Sequence, residues 1–281
     1  MKYLGKKHVV FLWLVMPCAK AQIRNYDAEG KSRKALYERV LISYSRPFFN
    51  PGPLSYSMLA PVAVGVLNAG IGLGVDLLDK SLSRRAEKFA SQYEGKLVGD
   101  DFFSNGGGVT ATSLHIARIA KLKGGDRELV MSHLDFQVEQ GANAFRFRLD
   151  SCLLTRSKAK VKKLGQLGKT VDLNIQIQID AIWTESDKSK STIKSGTLGA
   201  ASLTVPNVVL GTSFPATSLP PMYSDWIPFF PANATDIRYT LSVVVKEANP
   251  YGLKAKEQSA YFSTAGNGLT KLLQSLLKAN D

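Results

Sequence analysis

The stretch from Val171 to Trp183 alternates apolar and polar side chains over almost its whole length, which is the pattern of a β-strand buried on one face. Its apolar positions recur every second residue, and only Ile182 breaks the alternation. At about 3.3 Å per residue such a strand is roughly 40 Å long, which is long for a sheet in a soluble protein. The segment therefore predicts a sheet with one extended apolar face that other elements must cover.

A second alternating pattern predicts a β-hairpin around residues 140–143. With a four-residue loop, the apolar positions pair as Val138 with Phe145, Phe136 with Phe147, and Leu134 with Leu149. On the opposite face the polar positions pair as Gln137 with Arg146, Asp135 with Arg148, and His133 with Asp150. A slip of one residue would place charges against the core, so this alternation constrains the register strongly.

Three further segments, Val109–Leu122, Leu198–Leu210 and Ile237–Val245, show the same period of two. The glycine and proline in the second segment favour an edge position. Leu36–Tyr44 fits either a strand or a short helix. Most strands have one polar and one apolar face, so we predict a mainly β fold with helical cover, an antiparallel sandwich or half-open barrel of about six to eight strands.

Two helices are predicted beside the strands. From Ile71 to Tyr93 the apolar residues follow helical spacing, which predicts a long amphipathic helix, and a leucine stripe over residues 269–277 predicts a short C-terminal helix. The long helix either packs across the sheet, or the glycine-rich apolar stretch that leads into it, Ala60 to Val75, contacts a bilayer or a partner helix. The residues expected to make that contact are Gly70, Ile71, Gly74 and Val75.

The first 21 residues have the composition of a secretory signal peptide. Lysines precede an apolar run from Val9 to Met16, then Pro17 follows, and Ala19-Lys20-Ala21 fits signal peptidase. We expect cleavage after Ala21 and export to the periplasm, the outer membrane or the medium. The alternatives are an uncleaved anchor and a lipid at Cys18, but the apolar run spans only about 12 Å as a helix against a hydrocarbon core of roughly 30 Å.

These features divide the chain into four parts. Residues 1–21 are the predicted signal peptide, and residues 22–57 are an N-terminal extension that ends in a proline-rich linker. Residues 58–96 form the apolar and amphipathic helical segment. Residues 97–281 form the β-rich domain with its C-terminal helix.

The net charge of +13 falls to +9 without the four lysines of the leader. This sign favours anionic partners such as lipid phosphates or acidic glycans, whereas nucleic acid is not expected for an exported protein. Cleavage would also remove one of the two cysteines and leave Cys152 without an intrachain partner. The apolar neighbours of Cys152 predict a buried, inert thiol.

Two surface features are candidate binding sites. In a basic segment the cations recur mainly at alternate positions, which suits either a phosphate or acidic-glycan site or a solubilising edge strand. Its residues are Arg156, Lys158, Lys160, Lys162 and Lys163. The loop Phe214–Pro231 combines prolines with aromatic rings, which suits either partner binding or a satellite core under the sheet edge. Its candidate contact residues are Tyr223, Trp226, Phe229 and Phe230.

Enzyme signatures are absent from the sequence, which has no G-x-S-x-G, H-E-x-x-H, C-x-x-C or G-x-x-x-x-G-K-[ST] motif. Parity places His115 and His133 on the wet face, where we expect solvated or cross-strand-paired side chains and no metal site. We therefore expect an exported, non-enzymatic protein without a cofactor that binds an envelope protein or an anionic lipid or glycan surface. The alternatives are a membrane-active protein that inserts its apolar helix and a secreted hydrolase with carboxylates brought together in three dimensions.

Overall fold

The computed structural model describes residues 24–46, 86–161, 170–187, 190–215 and 221–253. Within these ranges the protein is mainly β, with two antiparallel sheets and one short helical turn. Several predicted features lie outside the described residues: the leader, the helical positions Gly70, Ile71, Gly74 and Val75, the lysines Lys162 and Lys163, and the C-terminal leucine stripe.

The described strands are, in chain order, β1 (Arg24–Tyr26), β2 (Ser32–Ser45), β3 (Ala90–Gly99), β4 (Ser113–Leu122), β5 (Glu128–Gln140), β6 (Ala144–Leu154), β7 (Thr170–Asp187), β8 (Lys190–Val209), β9 (Ser213–Pro215), β10 (Ile227–Pro228) and β11 (Ala234–Ala248). The helical turn α1 (Ala86–Phe89) leads directly into β3. One sheet has the order β1-β2-β4-β5-β6-β10, with β9 also paired to β6, and the other has the order β3-β11-β7-β8.

The apolar faces of the two sheets share one core. Leu114, Phe136 and Phe147 come from the larger sheet, and Ile177 and Leu241 come from the smaller one; all are buried in the same cluster. Strands with alternating side chains can bury only one face each, so two sheets packed face to face satisfy this pattern. The predicted mainly β, sandwich-like architecture is confirmed, but the described residues contain eleven strands where about six to eight were predicted.

The alternation from Val171 to Trp183 is confirmed as the central part of β7. Its apolar side chains point into the core, and β8 lies beside it at the sheet edge, as the glycine and proline in that segment predicted. The opposite face is less exposed than the pattern predicted, because Asp172 and Asn174 are also buried. Both side chains hydrogen bond to β8: Asp172 Oδ1 accepts from a backbone N–H 2.8 Å away, and Asn174 Nδ2 donates to a threonine Oγ1 at 3.1 Å.

The β5–β6 hairpin is confirmed, but its predicted register is wrong by two residues. Gln140 pairs with Phe145, so Val138 lies opposite Phe147 and Phe136 opposite Leu149. The apolar face is the predicted one because a shift of two preserves the parity of side chains. A bulge between Asp135 and Phe136 then places Asp135 opposite Ser151.

The helix predicted from Ile71 to Tyr93 is wrong over its described end. α1 lasts for one turn, and from Ala90 onward the chain is strand β3, paired with β11 along its full length. Tertiary pairing overrides the local helical spacing here, since the ladder satisfies the backbone and places Tyr93 in the core. The ambiguous segment Leu36–Tyr44 is likewise a strand, part of β2. Among the described residues, no helix is both long enough and apolar enough to cross a bilayer.

A glycine in β3 allows the two sheets to approach closely. A Cβ atom at Gly95 would lie 2.7 Å from Cγ1 of Val40 and 3.1 Å from Cδ1 of Ile42. Both of these side chains belong to β2 in the opposite sheet, so β2 and β3 are packed at a distance that leaves no room for a side chain at position 95.

Candidate binding surface and histidine cluster

The predicted aromatic loop contributes part of its rings to the core. Phe230 is buried, and its ring centroid lies 4.8 Å from that of Phe103 and 5.3 Å from that of Trp183. Phe229 stacks on Phe145 with the centroids 6.0 Å apart. These two phenylalanines therefore pack into the main core and do not form the separate satellite core that was one of the two sequence-based interpretations.

The other two aromatic residues of the loop lie on the surface, over an arginine of β6. Tyr223 is 39% exposed and Trp226 is 49% exposed. Cζ of Arg146 lies 3.7 Å from the ring centroid of Tyr223 and 4.6 Å from that of Trp226. Both distances are within the range of a cation–π interaction, which orients the guanidinium and both rings.

Backbone pairing attaches this part of the loop to β6. The N–H of Ser224 donates to the carbonyl of Phe147 at 2.8 Å, and Ser224 Oγ accepts from the N–H of Phe147 at 2.9 Å. Ile227 pairs with Phe145 as β10 adds to the sheet edge. The exposed rings are therefore presented by a short segment that is hydrogen bonded to the sheet on both sides of Tyr223 and Trp226.

A carboxylate links Arg146 to the next arginine along the strand. Oε2 of Glu139 lies 2.9 Å from Nη2 of Arg146, and Oε1 of Glu139 lies 2.9 Å from Nε of Arg148. Arg148 also donates to Oε1 of Gln137. We call Tyr223, Trp226, Arg146, Arg148 and Glu139 the aromatic–arginine surface. It presents two exposed rings beside two arginines whose charge one glutamate partly neutralises.

The described cations of the predicted basic segment are largely engaged within the protein. Nη1 of Arg156 lies 3.4 Å from Oδ2 of Asp27, and Nζ of Lys158 lies 3.1 Å from Oε1 of Glu38. Lys160 is exposed, and the residues that alternate with these cations are buried. The segment thus runs along the protein with its cations on one side, as predicted, but Arg156 and Lys158 already have carboxylate partners.

This pairing belongs to a buried charge network centred on Arg118, a core position of β4. Its Nη1 donates to Oδ1 of Asn25 at 2.7 Å and lies 3.3 Å from Oε2 of Glu38. Its Nη2 lies 3.4 Å from Oε1 of Glu247, and its Cζ lies 4.9 Å from the ring centroid of Tyr93. Burial alone would lower the pKa of Arg118, but Glu247 and the other anionic groups outweigh burial and hold it above its ordinary value.

Glu247 also fixes the segment after β6. Its Oε2 accepts hydrogen bonds from Oγ of Ser157 and the backbone N–H of Lys158, both at 2.6 Å, and from the N–H of Ala159 at 3.3 Å. Three N–H and O–H donors therefore satisfy this buried carboxylate oxygen. The network therefore joins β4, β11 and the basic segment at one end of the core.

A second polar cluster lies on the outer face of the larger sheet and contains both histidines of the described residues. Nδ1 of His115 lies 2.7 Å from Oδ1 of Asp135, and Nε2 of His133 lies 3.3 Å from the same oxygen. The two imidazoles are nearly parallel, with an interplanar angle of 12°. Both histidines thus lie on the solvent-facing side of the sheet, as predicted, and His115 is paired with Asp135 across strands, whereas His133 contacts Asp135 within β5.

Three serines complete the cluster. Nε2 of His115 lies 2.9 Å from Oγ of Ser113 and 3.2 Å from Oγ of Ser45. Oγ of Ser151 donates to Oδ2 of Asp135 at 2.5 Å. Burial raises the pKa of Asp135, but the hydrogen bonds from His115 and Ser151 and the nearby imidazoles outweigh it, so the net shift is downward and favours the carboxylate.

The order of hydroxyl, imidazole and carboxylate in Ser113, His115 and Asp135 resembles the relay of a nucleophilic serine. Such a site also needs N–H donors that converge beside the hydroxyl to hold an oxyanion. Ser113 pairs with Ser45 on one side and with Gln137 on the other. Its neighbouring backbone groups therefore belong to the sheet ladder and do not converge on a substrate.

An open groove of about 540 Å³ crosses the outer face of the smaller sheet. It is lined by side chains of all four strands, including Val98, Ile182 and Arg238, and Asp180 is the one carboxylate of its lining. Oδ1 of Asp180 accepts from Oγ1 of Thr197 at 2.5 Å. The groove therefore lacks the pair of close carboxylates that the hydrolase alternative required.

No protein-family model, curated protein or solved structure matches this chain.

Sequence reasoning found Tyr223 and Trp226 but missed the residues that hold them. Arg146 was placed in the predicted hairpin but was not combined with the aromatic loop, because that contact depends on how the loop returns to the edge of β6. Asp135 was missed as the partner of His115 because local alternation does not specify the β4–β5 register that pairs them. The shared outward parity of His115, His133 and Asp135 was the signal that could have revealed the cluster.

Proposed function

We propose that this protein is an exported, non-enzymatic envelope protein that binds a partner protein through the aromatic–arginine surface. One observation carries the proposal: Tyr223 and Trp226 remain exposed although they are attached to the sheet and lie over Arg146. Tyr, Trp and Arg are the residue types that contribute most to binding energy in protein interfaces. Export is supported by the composition of the first 21 residues.

The charge arrangement favours a protein partner over an anionic lipid or glycan surface. Arg146 and Arg148 share Glu139, and Arg156 and Lys158 each lie beside a carboxylate. Attraction to a lipid headgroup layer depends on cations that are free to neutralise it. Rings that are already ordered lose little side-chain entropy on binding, which suits a specific docking surface.

Site-specific photo-crosslinking in the producing cells tests this function. A photoreactive amino acid at position 226 should give one crosslinked species of defined mass in the envelope fraction. The same amino acid in place of Tyr251, which is 39% exposed against 49% for Trp226, is the control and should not give that species. Arg146→Ser should weaken the crosslink from position 226, because it removes the guanidinium that orients the side chains at positions 223 and 226.

Two results would contradict the proposal. Equal crosslinking from positions 226 and 251 would show that the surface is not selective. Binding to anionic liposomes that is unaffected by Trp226→Ala would favour a lipid or glycan surface instead. The site of processing is a separate test: an N-terminus at Gln22 supports export, and intact Met1 in the cytosol contradicts it.

A further inference from the structure

The backbone register brings three potential metal ligands together on the outer face of the larger sheet. His133 and Asp135 are two residues apart on β5 and therefore point to the same side. His115 pairs directly with Asp135 across the β4–β5 ladder, and Ala117 pairs with His133. The two histidines are thus diagonal neighbours with the aspartate beside both of them.

The ligating atoms of these three side chains already converge. One ligand atom from each of His115, His133 and Asp135 lies within 4.8 Å of the other two. We propose that these residues form a binding site for a divalent transition metal ion, with Zn²⁺ as the best fit. Two imidazole nitrogens and one carboxylate oxygen are a ligand set used for Zn²⁺ in proteins, whereas Ca²⁺ and Mg²⁺ prefer oxygen ligands alone.

The residues around the three ligands would hold them in place. Ser151 donates to Oδ2 of Asp135, which leaves Oδ1 directed at both imidazoles. The hydroxyl of Ser113 contacts Nε2 of His115, so this nitrogen can carry the ring proton when Nδ1 binds a metal. Hydrogen bonds to the far side of ligating histidines and carboxylates are a general feature of metal sites and strengthen them.

The surroundings leave room for a solvent ligand. The side chains of His115, His133 and Asp135 are 31%, 41% and 22% exposed. Three protein ligands with an open position on a sheet surface can be completed by water or by a group of a bound partner. This inference does not depend on the aromatic–arginine surface, since none of its residues is shared.

Calorimetric titration of Zn²⁺ into the metal-free full chain tests the site. We expect one tightly bound Zn²⁺ per chain, and a Co²⁺ absorption spectrum with the bands of nitrogen and oxygen ligands. Ser151→Ala should weaken Zn²⁺ binding about tenfold, and His133→Gln or Asp135→Asn should weaken it further. Asp150→Asn, an acid on the same hairpin, should change the affinity less than about twofold. His8→Gln is the control for the third histidine of the chain.

The midpoint temperature of thermal unfolding gives a second measurement of Zn²⁺ binding that does not depend on calorimetry. Zn²⁺ that binds only the folded state should raise the midpoint with concentration, and this rise should disappear in His133→Gln. Circular dichroism of each variant in the absence of metal checks that the exposed substitutions leave the fold intact. Unchanged Zn²⁺ affinity in both His133→Gln and Asp135→Asn, or no binding at millimolar Zn²⁺, would overturn the assignment.

Discussion

Arg118 and Glu247 meet in the interior with Nη2 of the arginine 3.4 Å from Oε1 of the glutamate, and neither side chain is exposed to solvent. Arg118 belongs to β4 of the larger sheet and Glu247 to β11 of the smaller one. The pair therefore connects the two layers of the sandwich at a point where apolar packing would otherwise be expected. Since buried charges are costly unless they are paired, each residue makes the other necessary.

We expect Glu247→Gln to lower the free energy of unfolding by about 3 kcal/mol, because it leaves Arg118 in the core with an incomplete set of carboxylates. Arg118→Met should lower the free energy of unfolding by a similar amount. The double variant should lose less than the sum of the two single variants, since it leaves neither group as an uncompensated charge. Urea unfolding of the four proteins measures this coupling, and strictly additive losses would contradict it.

The close approach of β2 and β3 predicts a glycine requirement at one position. Gly95→Ala should lower the free energy of unfolding by about 1–3 kcal/mol, because the new Cβ would meet Val40 at 2.7 Å. Gly196, which lies in β8 of the same sheet, has no atom within 4 Å of an added Cβ. Gly196→Ala is therefore the matched control and should not destabilise the protein. Equal losses for both variants would show that sheet spacing is not the cause.

Because Phe230 is buried and Trp226 is exposed, substitutions of these two loop residues should destabilise the protein to different extents. Phe230→Ala should cost about 3–5 kcal/mol of folding stability because it opens a cavity beside Phe103 and Trp183. Trp226→Ala should cost less than about 1 kcal/mol, because it removes an exposed ring and one cation–π contact. Denaturant unfolding distinguishes them. A loss at Trp226 as large as that at Phe230 would place this ring in the core.

Burial predicts that the thiol of Cys152 is unreactive in the folded protein. The low-dielectric surroundings, with a smaller contribution from Glu247 and Asp135, raise the pKa of Cys152 to about 12. Almost no thiolate is therefore present at pH 8, and the group has no solvent access. A Cys18→Ser chain should not react with a disulfide reagent when native and should release one equivalent after unfolding in guanidinium. Rapid native reaction would contradict this account.

The alternation of apolar and polar side chains with a period of two was sufficient to predict a mainly β fold. In the central parts of β7, β5 and β6 one face is buried, so the alternation in the sequence corresponds directly to the core side of these strands. Where a strand had weaker or competing local signals, prediction was less successful. Residues 90–93 carry helical spacing, and only pairing with β11 makes them a strand.

The register of the β5–β6 hairpin and the contacts that form the sites could not be predicted from the side-chain pattern of single strands. A shift of two residues in the β5–β6 hairpin leaves every side chain on its correct face, so hydrophobic alternation cannot distinguish the two pairings. Together with the bulge between Asp135 and Phe136, that shift decides whether Asp135 lies opposite Arg148 or opposite Ser151 on β6. Similarly, Arg118 places a charge at a core position in the alternation of β4, but its partner Glu247 lies far along the chain in a strand of the other sheet and could not be identified from that pattern.

What the sequence alone determined is which side of each main strand is apolar, because every strand carries that information in its own residues. The tertiary structure decided which residues meet across strands and between sheets: Asp135 with two histidines, Arg146 with two aromatic rings, and Arg118 with Glu247. Most of these contacts join residues that are distant in the chain. Their energies depend on how the strands are arranged in the folded protein, and no single segment of the sequence specifies that arrangement.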